Sequence, residues 1–306
     1  MRALARAVFV CVAVLHAFAQ PASIDSAQLI RDLETLSSDA MEGRRAGTPG
    51  AAKAREYIIR RFKESGIAPI GASYEHPFAF RGRSDADDRG GVNVLGVIRG
   101  TRDPSRHIVI TAHYDHLGVR NGQVYNGADD NASGVAALLA VAARANAQKP
   151  EHSILFAALD AEESGLQGAR AFLRAPPVPR ESMALNVNLD MVARDDKNIL
   201  FASGTHHYPF LKPHLENVAE VPVVLRFGHD TPDLRSDDWT GQSDHFPFHE
   251  AGIPFVYFGV EDEAQHHKPT DDADTVTREF FIGAARTIAA AVRKLDAALD
   301  EIAKKR

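Results

Sequence analysis

Thiols are almost missing from this 306-residue chain. Its one cysteine, Cys11, sits inside an apolar N-terminal run. Once that run is removed, no thiol and no disulfide remain, so any site for a transition metal must be built from imidazole and carboxylate. A basic excess is also lacking. Lys and Arg number 35 against 41 Asp and Glu, for a formal net charge of -6. No Lys/Arg cluster reverses that locally, so a nucleic-acid partner, which favours a basic face, is not expected. No later run approaches the roughly 20 apolar residues that span a bilayer, so no membrane partner is expected either. Internal repeats, low-complexity tracts and Pro/Gly/Ser linkers are absent, and residues 20–306 read as one domain.

The first residues are informative in their own right. Arg2 and Arg6 precede an apolar core over residues 8–18, and Ala17-Phe18-Ala19 forms a small-x-small cleavage site. This reads as a secretory signal peptide over residues 1–19 and implies a secreted or periplasmic protein. The competing reading, a membrane anchor, fails on length. The remaining composition, 44% hydrophobic and 25% charged, is that of a globular protein with a full core.

Periodicity predicts helices over residues 26–36, 51–65, 132–147, 165–173 and 208–219, and from 276 to the C-terminus. Strands are expected over 74–80, 92–98, 108–112, 153–159, 183–189, 198–202 and 253–258, with a charged loop over 84–91 and a polar loop over 228–244. The runs Ile108-Val109-Ile110 and SILFAAL are apolar at every position, as in strands buried on both faces. Strands alternating with helices point to an α/β fold: three layers, with a mostly parallel mixed sheet between helices.

Three of these strands end in acid or imidazole: His113-x-Asp115, Glu162-Glu163 and Asp190. Loops add Asp129-Asp130 and His267. The carboxyl ends of strands are where an open α/β sheet builds its site. Oxygen and imidazole donors suit Zn²⁺, and two such ions about 3.5–4 Å apart form a hydrolytic pair. Residues i and i+2 of an extended chain share a face, so the Asp115 carboxylate is placed to accept a ring N–H of His113. Glu162 and Glu163 can serve one site only if the backbone turns beside them, which Gly165 permits. Alone, the His-x-Asp pair reads better as a strand-end imidazole with a solvated acid, and the Glu pair as exposed carboxylates opening a helix.

Taken together, AHYDHLG (residues 112–118), NGADDNASG (126–134), DAEESGLQGA (160–169), NLDMV (188–192), SDHFPFHEAGIP (243–254) and HKPTDDADT (267–275) resemble the M28 family of zinc aminopeptidases, and EGRRAGTPG (42–50) resembles its N-terminal signature. The likeness runs in order over nearly all of the mature chain. It implies a secreted di-zinc aminopeptidase acting on a peptide or small protein substrate. The implied zinc ligands are His113, Asp129, Glu163, Asp190 and His267. Asp129 bridges the two ions and precedes a cis peptide, and Glu162 is the general base of a metal-bridged water. His266 stands where relatives often carry Tyr. His245 is a rival to His267, but the H-x-P-[ST]-D frame favours His267. His116, His206, His207, His229 and His249 read as structural or surface residues.

Other readings of the same scaffold are a metallocarboxypeptidase or amidohydrolase, which needs a carboxylate-binding arginine such as Arg194 or Arg235, and a one-zinc glutaminyl cyclase. A non-catalytic binding domain predicts eroded ligands, and none is eroded here.

Overall fold

A computed structural model describes residues 23–81, 88–262 and 264–306. The expected signal peptide, with Cys11, and residues 84–87 of the expected charged loop lie outside the described residues. Among the described residues the strands are β1 (Ala68–Pro69), β2 (Glu75–Arg81), β3 (Asp88–Ile98), β4 (Asp103–His113), β5 (Gly118–Arg120), β6 (Gln123–Tyr125), β7 (His152–Leu159), β8 (Met183–Leu189), β9 (Ile199–Ser203), β10 (Val224–Phe227) and β11 (Phe255–Gly259). The α-helices are α1 (Ser26–Leu36), α2 (Pro49–Glu64), α3 (Gly134–Gln148), α4 (Gln167–Arg174), α5 (Lys212–Leu215), α6 (His245–Glu250), α7 (Arg278–Ala297) and α8 (Leu299–Lys304).

Nine strands form one mixed sheet in the order β1-β3-β7-β4-β8-β11-β9-β10, with β2 on β3. Its centre, β7-β4-β8-β11, is parallel throughout. Every residue of β7, β8 and β11 is buried, which is why these strands read as unbroken apolar runs rather than alternating ones. The alternation appears instead in what each residue packs against. Ile108, Ile110, Ile154, Phe156, Leu185 and Val187 face the large core under α1, α2, α3 and α7. Val109, Leu155, Ala157 and Leu159 face the smaller core under α4 and α6, closed by Phe172 and Phe248. The result is the expected three-layer sandwich.

Local chemistry sets the element ends. The Asp25 carboxylate accepts Gln28 N–H at the start of α1, and Thr48 caps α2 ahead of Pro49. The helix expected over 208–219 is only a 3₁₀ turn (Pro209–Leu211) running into α5. Prolines at 209 and 213 remove backbone donors, and Asn217 is left-handed at φ 60°. The C-terminal helix breaks at Ala298. Strand β10, for which the sequence predicts no element, pairs in parallel with β9 at the sheet edge, and its residues alternate between exposed and half-buried.

Candidate metal centre

Strands β4, β7 and β8 are parallel neighbours, so their carboxyl ends share one rim of the sheet. His113 closes β4, Asp160 follows β7 and Asp190 follows β8. Val109 of β4 faces the core under α4 and α6, whereas Leu185 and Val187 of β8 face the opposite one, so His113, an even step from Val109, and Asp190, an odd step from Val187, project the same way. His113 Nε2 lies 3.2 Å from Asp190 Oδ1 and 3.3 Å from Asp130 Oδ1.

After β7 the chain turns sharply. Ala161 takes φ 59°, and Glu162 O accepts N–H bonds from Gly165 and Leu166. This turn brings both Glu162 and Glu163 to the rim, as the sequence required. The two oxygens of Glu163 reach different rings: Oε2 lies 3.1 Å from His267 Nε2, and Oε1 lies 2.8 Å from His116 Nδ1. His267 Nε2 is in turn 3.2 Å from Asp130 Oδ2. Asp130 therefore offers one oxygen to His113 and Asp190 and the other to Glu163 and His267.

That role was expected of Asp129, and the structure does not bring Asp129 there. Its Oδ1 accepts Ala193 N–H at 2.7 Å, on the far side of the loop. The backbone at Asp130 is extended (φ -104°, ψ 93°), so adjacent side chains diverge and only one of the two acids can face the rim. The cis bond likewise lies one residue on, between Asp130 and Asn131. A second correction concerns Asp115. His113 Nδ1 is bonded to the Asp115 main-chain oxygen at 3.1 Å, while the Asp115 carboxylate, 3.7 Å away, accepts Glu162 N–H. The predicted tether exists, but it works through the backbone and orients Glu162 as well as His113.

His116, read as structural, is buried at 1% exposure and faces Asp130 and Glu163. His245 is buried away from the acids, stacked on Tyr257 and bonded to Trp239 O; burial lowers its pKa to about 3. His266 is half exposed, with Nε2 3.7 Å from Asp130. Arg194 is engaged by Asp262 and Asp271 and is not available to a substrate. Arg235 lies on a 3₁₀ turn and does not line the cleft.

The loop carrying Asp130 is clamped from several sides. Asp271 accepts the N–H groups of Asp129 and Asp130. Asn131 bridges Leu189 O, Gly134 N and Met191 N. Gly127 is left-handed, and a Cβ there would meet Asp130 O at 2.1 Å. Arg44, fully buried, donates to the carbonyls of Leu36, Tyr114, Asn126 and Gly127. One guanidinium thus ties the His113 and Asp130 loops together, at a desolvation cost that lowers its pKa to about 10. Below the site, Asn186 donates to Thr111, Thr111 to Asn188, Asn188 to Ser243, and Ser243 to Asp190 Oδ2 at 2.6 Å. This chain of donors leaves Asp190 only the acceptor's role.

The electrostatics are those of a site short of positive charge. Burial disfavours a charged His113, yet Asp190, Glu162 and Asp130 outweigh it and hold the ring well above the ordinary imidazole range. Hydrogen bonds to Asp130 and Glu163 raise His267 to about 10. Burial and its acidic neighbours Glu163, Asp244 and Asp190 raise Glu162 well above the usual carboxylate range, against the pull of His113. Beneath them Asp244 is fully buried, and neither of its oxygens is bonded; burial raises it to about 7. A cleft of about 480 Å³ opens over the cluster, walled by Leu166, Met191, Gln242, Phe246 and Tyr257.

The profile of peptidase family M28 matches residues 93–292. The chain belongs to peptidase family M28. Aminopeptidase YwaD of Bacillus subtilis is 28% identical over 213 residues, covering 65% of this chain and 44% of that protein. The chain spans about half the length of the curated relatives it matches. Among solved structures, a zinc aminopeptidase from Bacillus subtilis superposes with a TM-score of 0.71 at 17% identity, covering 88% of this chain and 95% of that one. A glutaminyl cyclase of Porphyromonas gingivalis does so with a TM-score of 0.72 at 17% identity, covering 89% and 99%. These likenesses establish the M28 fold.

Zinc fits the donors of this M28 chain. Tetrahedral zinc with bonds near 2.0–2.1 Å separates its ligand atoms by roughly 3.3 Å. The contacts around Asp130, His113, Asp190, Glu163 and His267 run from 3.1 to 3.3 Å. His116 Nδ1 and Glu163 Oε1 are 2.8 Å apart without the alignment of a hydrogen bond, and neither atom has another hydrogen-bond partner. Buried polar atoms left without partners are rare and call for an explanation, an ion among them.

Proposed function

We propose that this chain is an exported di-zinc aminopeptidase. The observation that carries the reading is the Asp130 carboxylate, shared between His113 with Asp190 and Glu163 with His267. One zinc would be held by each pair, and Asp130 would be common to both. The residues are those expected, with Asp130 in place of Asp129. Zinc, when bound, supplies Lewis acidity toward water and the scissile carbonyl.

The rest of the chemistry falls to the chain. Glu162 sits among acids that raise its proton affinity, and Asp115 holds its backbone. Its carboxylate takes a proton from the attacking water and delivers it to the leaving nitrogen. Action on a peptide's amino end is read from the likeness to Aminopeptidase YwaD. The wall of Leu166, Met191, Phe246 and Tyr257 receives an apolar first side chain and keeps bulk water out. Export rests on the N-terminal Arg2, Arg6 and apolar core, with a single domain over residues 20–306. No helix among the described residues is long and apolar enough to cross a membrane.

Glu162→Gln tests the reading. It should retain two zincs by elemental analysis and lower kcat on leucine p-nitroanilide by about 10²–10⁴-fold. Near-normal turnover would remove Glu162 as the base. Preference for an N-acylated dipeptide over leucine p-nitroanilide would favour the amidohydrolase reading, and a stoichiometry near one zinc the cyclase.

A further inference from the structure

Arg170 is the sole Lys or Arg among the described residues lining the cleft. It stands on α4, on the outer side of the wall, and α4 leans on α6 through Phe172 and Phe248. Its Nη1 pairs with Glu250 at 3.0 Å, and its side chain remains 39% exposed. A guanidinium has five donors, and Glu250 takes one. The others are free to bond a further anion.

The floor of the cleft holds Asp130, Glu162, Glu163 and Asp190, whose charge two zinc ions would offset, and its lining holds one cationic side chain, Arg170. A substrate carboxylate that reaches the cleft therefore finds its counter-charge at Arg170. The volume, about 480 Å³, lies in the lower half of the ~300–1,000 Å³ range of small-ligand sites. A short zwitterionic peptide matches both features; the interior of a long chain offers no carboxylate at that place.

Building on the aminopeptidase reading, we infer that the enzyme is tuned to di- and tripeptides with a free C-terminus and an apolar first residue, and that Arg170 is the specificity-determining residue that holds the substrate's terminal carboxylate. Of the two arginines named from the sequence, Arg194 is occupied by Asp262 and Asp271 and Arg235 does not line the cleft, so neither competes for that role.

The test compares Leu-Gly-Gly with its C-terminal amide on the zinc-loaded full chain. The unmodified enzyme should favour the acid over the amide in kcat/KM by roughly five-fold, the scale of a partly exposed charged pair, with the difference in KM. In Arg170→Gln the acid-to-amide ratio should collapse toward one, whichever way the absolute rates move. Glu250→Gln removes the competing carboxylate and should raise the ratio. An unmodified enzyme indifferent to amidation, an unaltered ratio in Arg170→Gln, or a lowered ratio in Glu250→Gln would each overturn the inference. Failure of the unmodified enzyme to cleave leucine p-nitroanilide would instead remove the aminopeptidase reading beneath it.

Discussion

Replacing each of two neighbouring aspartates by asparagine separates the residue that shares the ions from the one that braces the loop. In Asp130→Asn the anion common to both groups is lost. Its oxygens lie 3.2–3.3 Å from His113 and His267, distances at which an ion between them is bonded to both. Zinc held by four protein ligands binds with about 10–16 kcal/mol, or roughly 3 kcal/mol per ligand, so a shared ligand forfeits about two decades of affinity in each site. Asp129→Asn is different. An asparagine oxygen still accepts Ala193 N–H, and Asp129 Oδ2 has no partner to lose. Burial and the nearby Asp271 already push the Asp129 carboxyl well above its usual range, so a neutral amide there costs little. After dialysis against a weak chelator, elemental analysis should find Asp130→Asn depleted of both zincs and Asp129→Asn fully loaded. The reverse pattern would refute the placement of Asp130 at the shared position.

Ser243→Ala removes the short bond to Asp190 Oδ2 and strands the buried Asn188 amide that donates to it; it should weaken zinc binding about 10–100-fold, read by chelator competition, and lower the unfolding free energy of the metal-free chain by about 1–3 kcal/mol. Asp244 supplies a pH test on the metal-free protein. Burial raises its carboxyl to about 7 in the folded state, against about 3.9 for an ordinary aspartate, so the folded chain binds the extra proton between those values. The contribution of Asp244 to stability is therefore full below about 4 and is lost as pH rises to about 7, by an upper bound of roughly 4 kcal/mol. Asp244→Asn should flatten that part of the pH–stability curve, and an unchanged slope would exclude Asp244 as its source. Arg44→Met strands four buried carbonyls at about 1 kcal/mol or more each, so it should lower the unfolding free energy by about 4 kcal/mol and loosen zinc binding as well.

The parts of this molecule legible in the sequence share one property: a side chain whose type and strand position suffice. His113 closes and Asp190 follows a buried apolar strand, and strand ends of a parallel sheet converge whatever the loops do; Glu163 needed in addition the turn after β7 that Gly165 permits. His267 is brought back by a recognisable frame. What escaped is what depends on loop conformation. Asp129 and Asp130 are chemically identical and adjacent, and only the dihedral angles of residues 130 and 131 decide which faces the rim. His116 lies three residues beyond β4, where extended periodicity no longer tells a side chain's direction. Strand β10 escaped although Val223-Val224-Leu225 is apolar, because the run is short, follows Pro222 and is broken by Arg226.

Arg44 shows a further limit and a physical reason for it. The stretch EGRRAGTPG resembles a family signature, yet no chemistry can be assigned to it from residue types, because Arg44 bonds only main-chain carbonyls. Carbonyl acceptors are the same at every position, so sequence cannot name them. Burying a guanidinium without a carboxylate partner is costly. Here the charges of Asp130, Asp271, Asp115 and Glu163 act on it from a distance. The acids that would hold the metal therefore also help to hold Arg44 charged, and Arg44 fixes the loops that aim those acids. Each half of that arrangement is unfavourable alone: a cluster of buried acids repels itself, and a buried cation is desolvated. Together, before any ion is bound, they offset one another and set the donors at the spacing an ion requires.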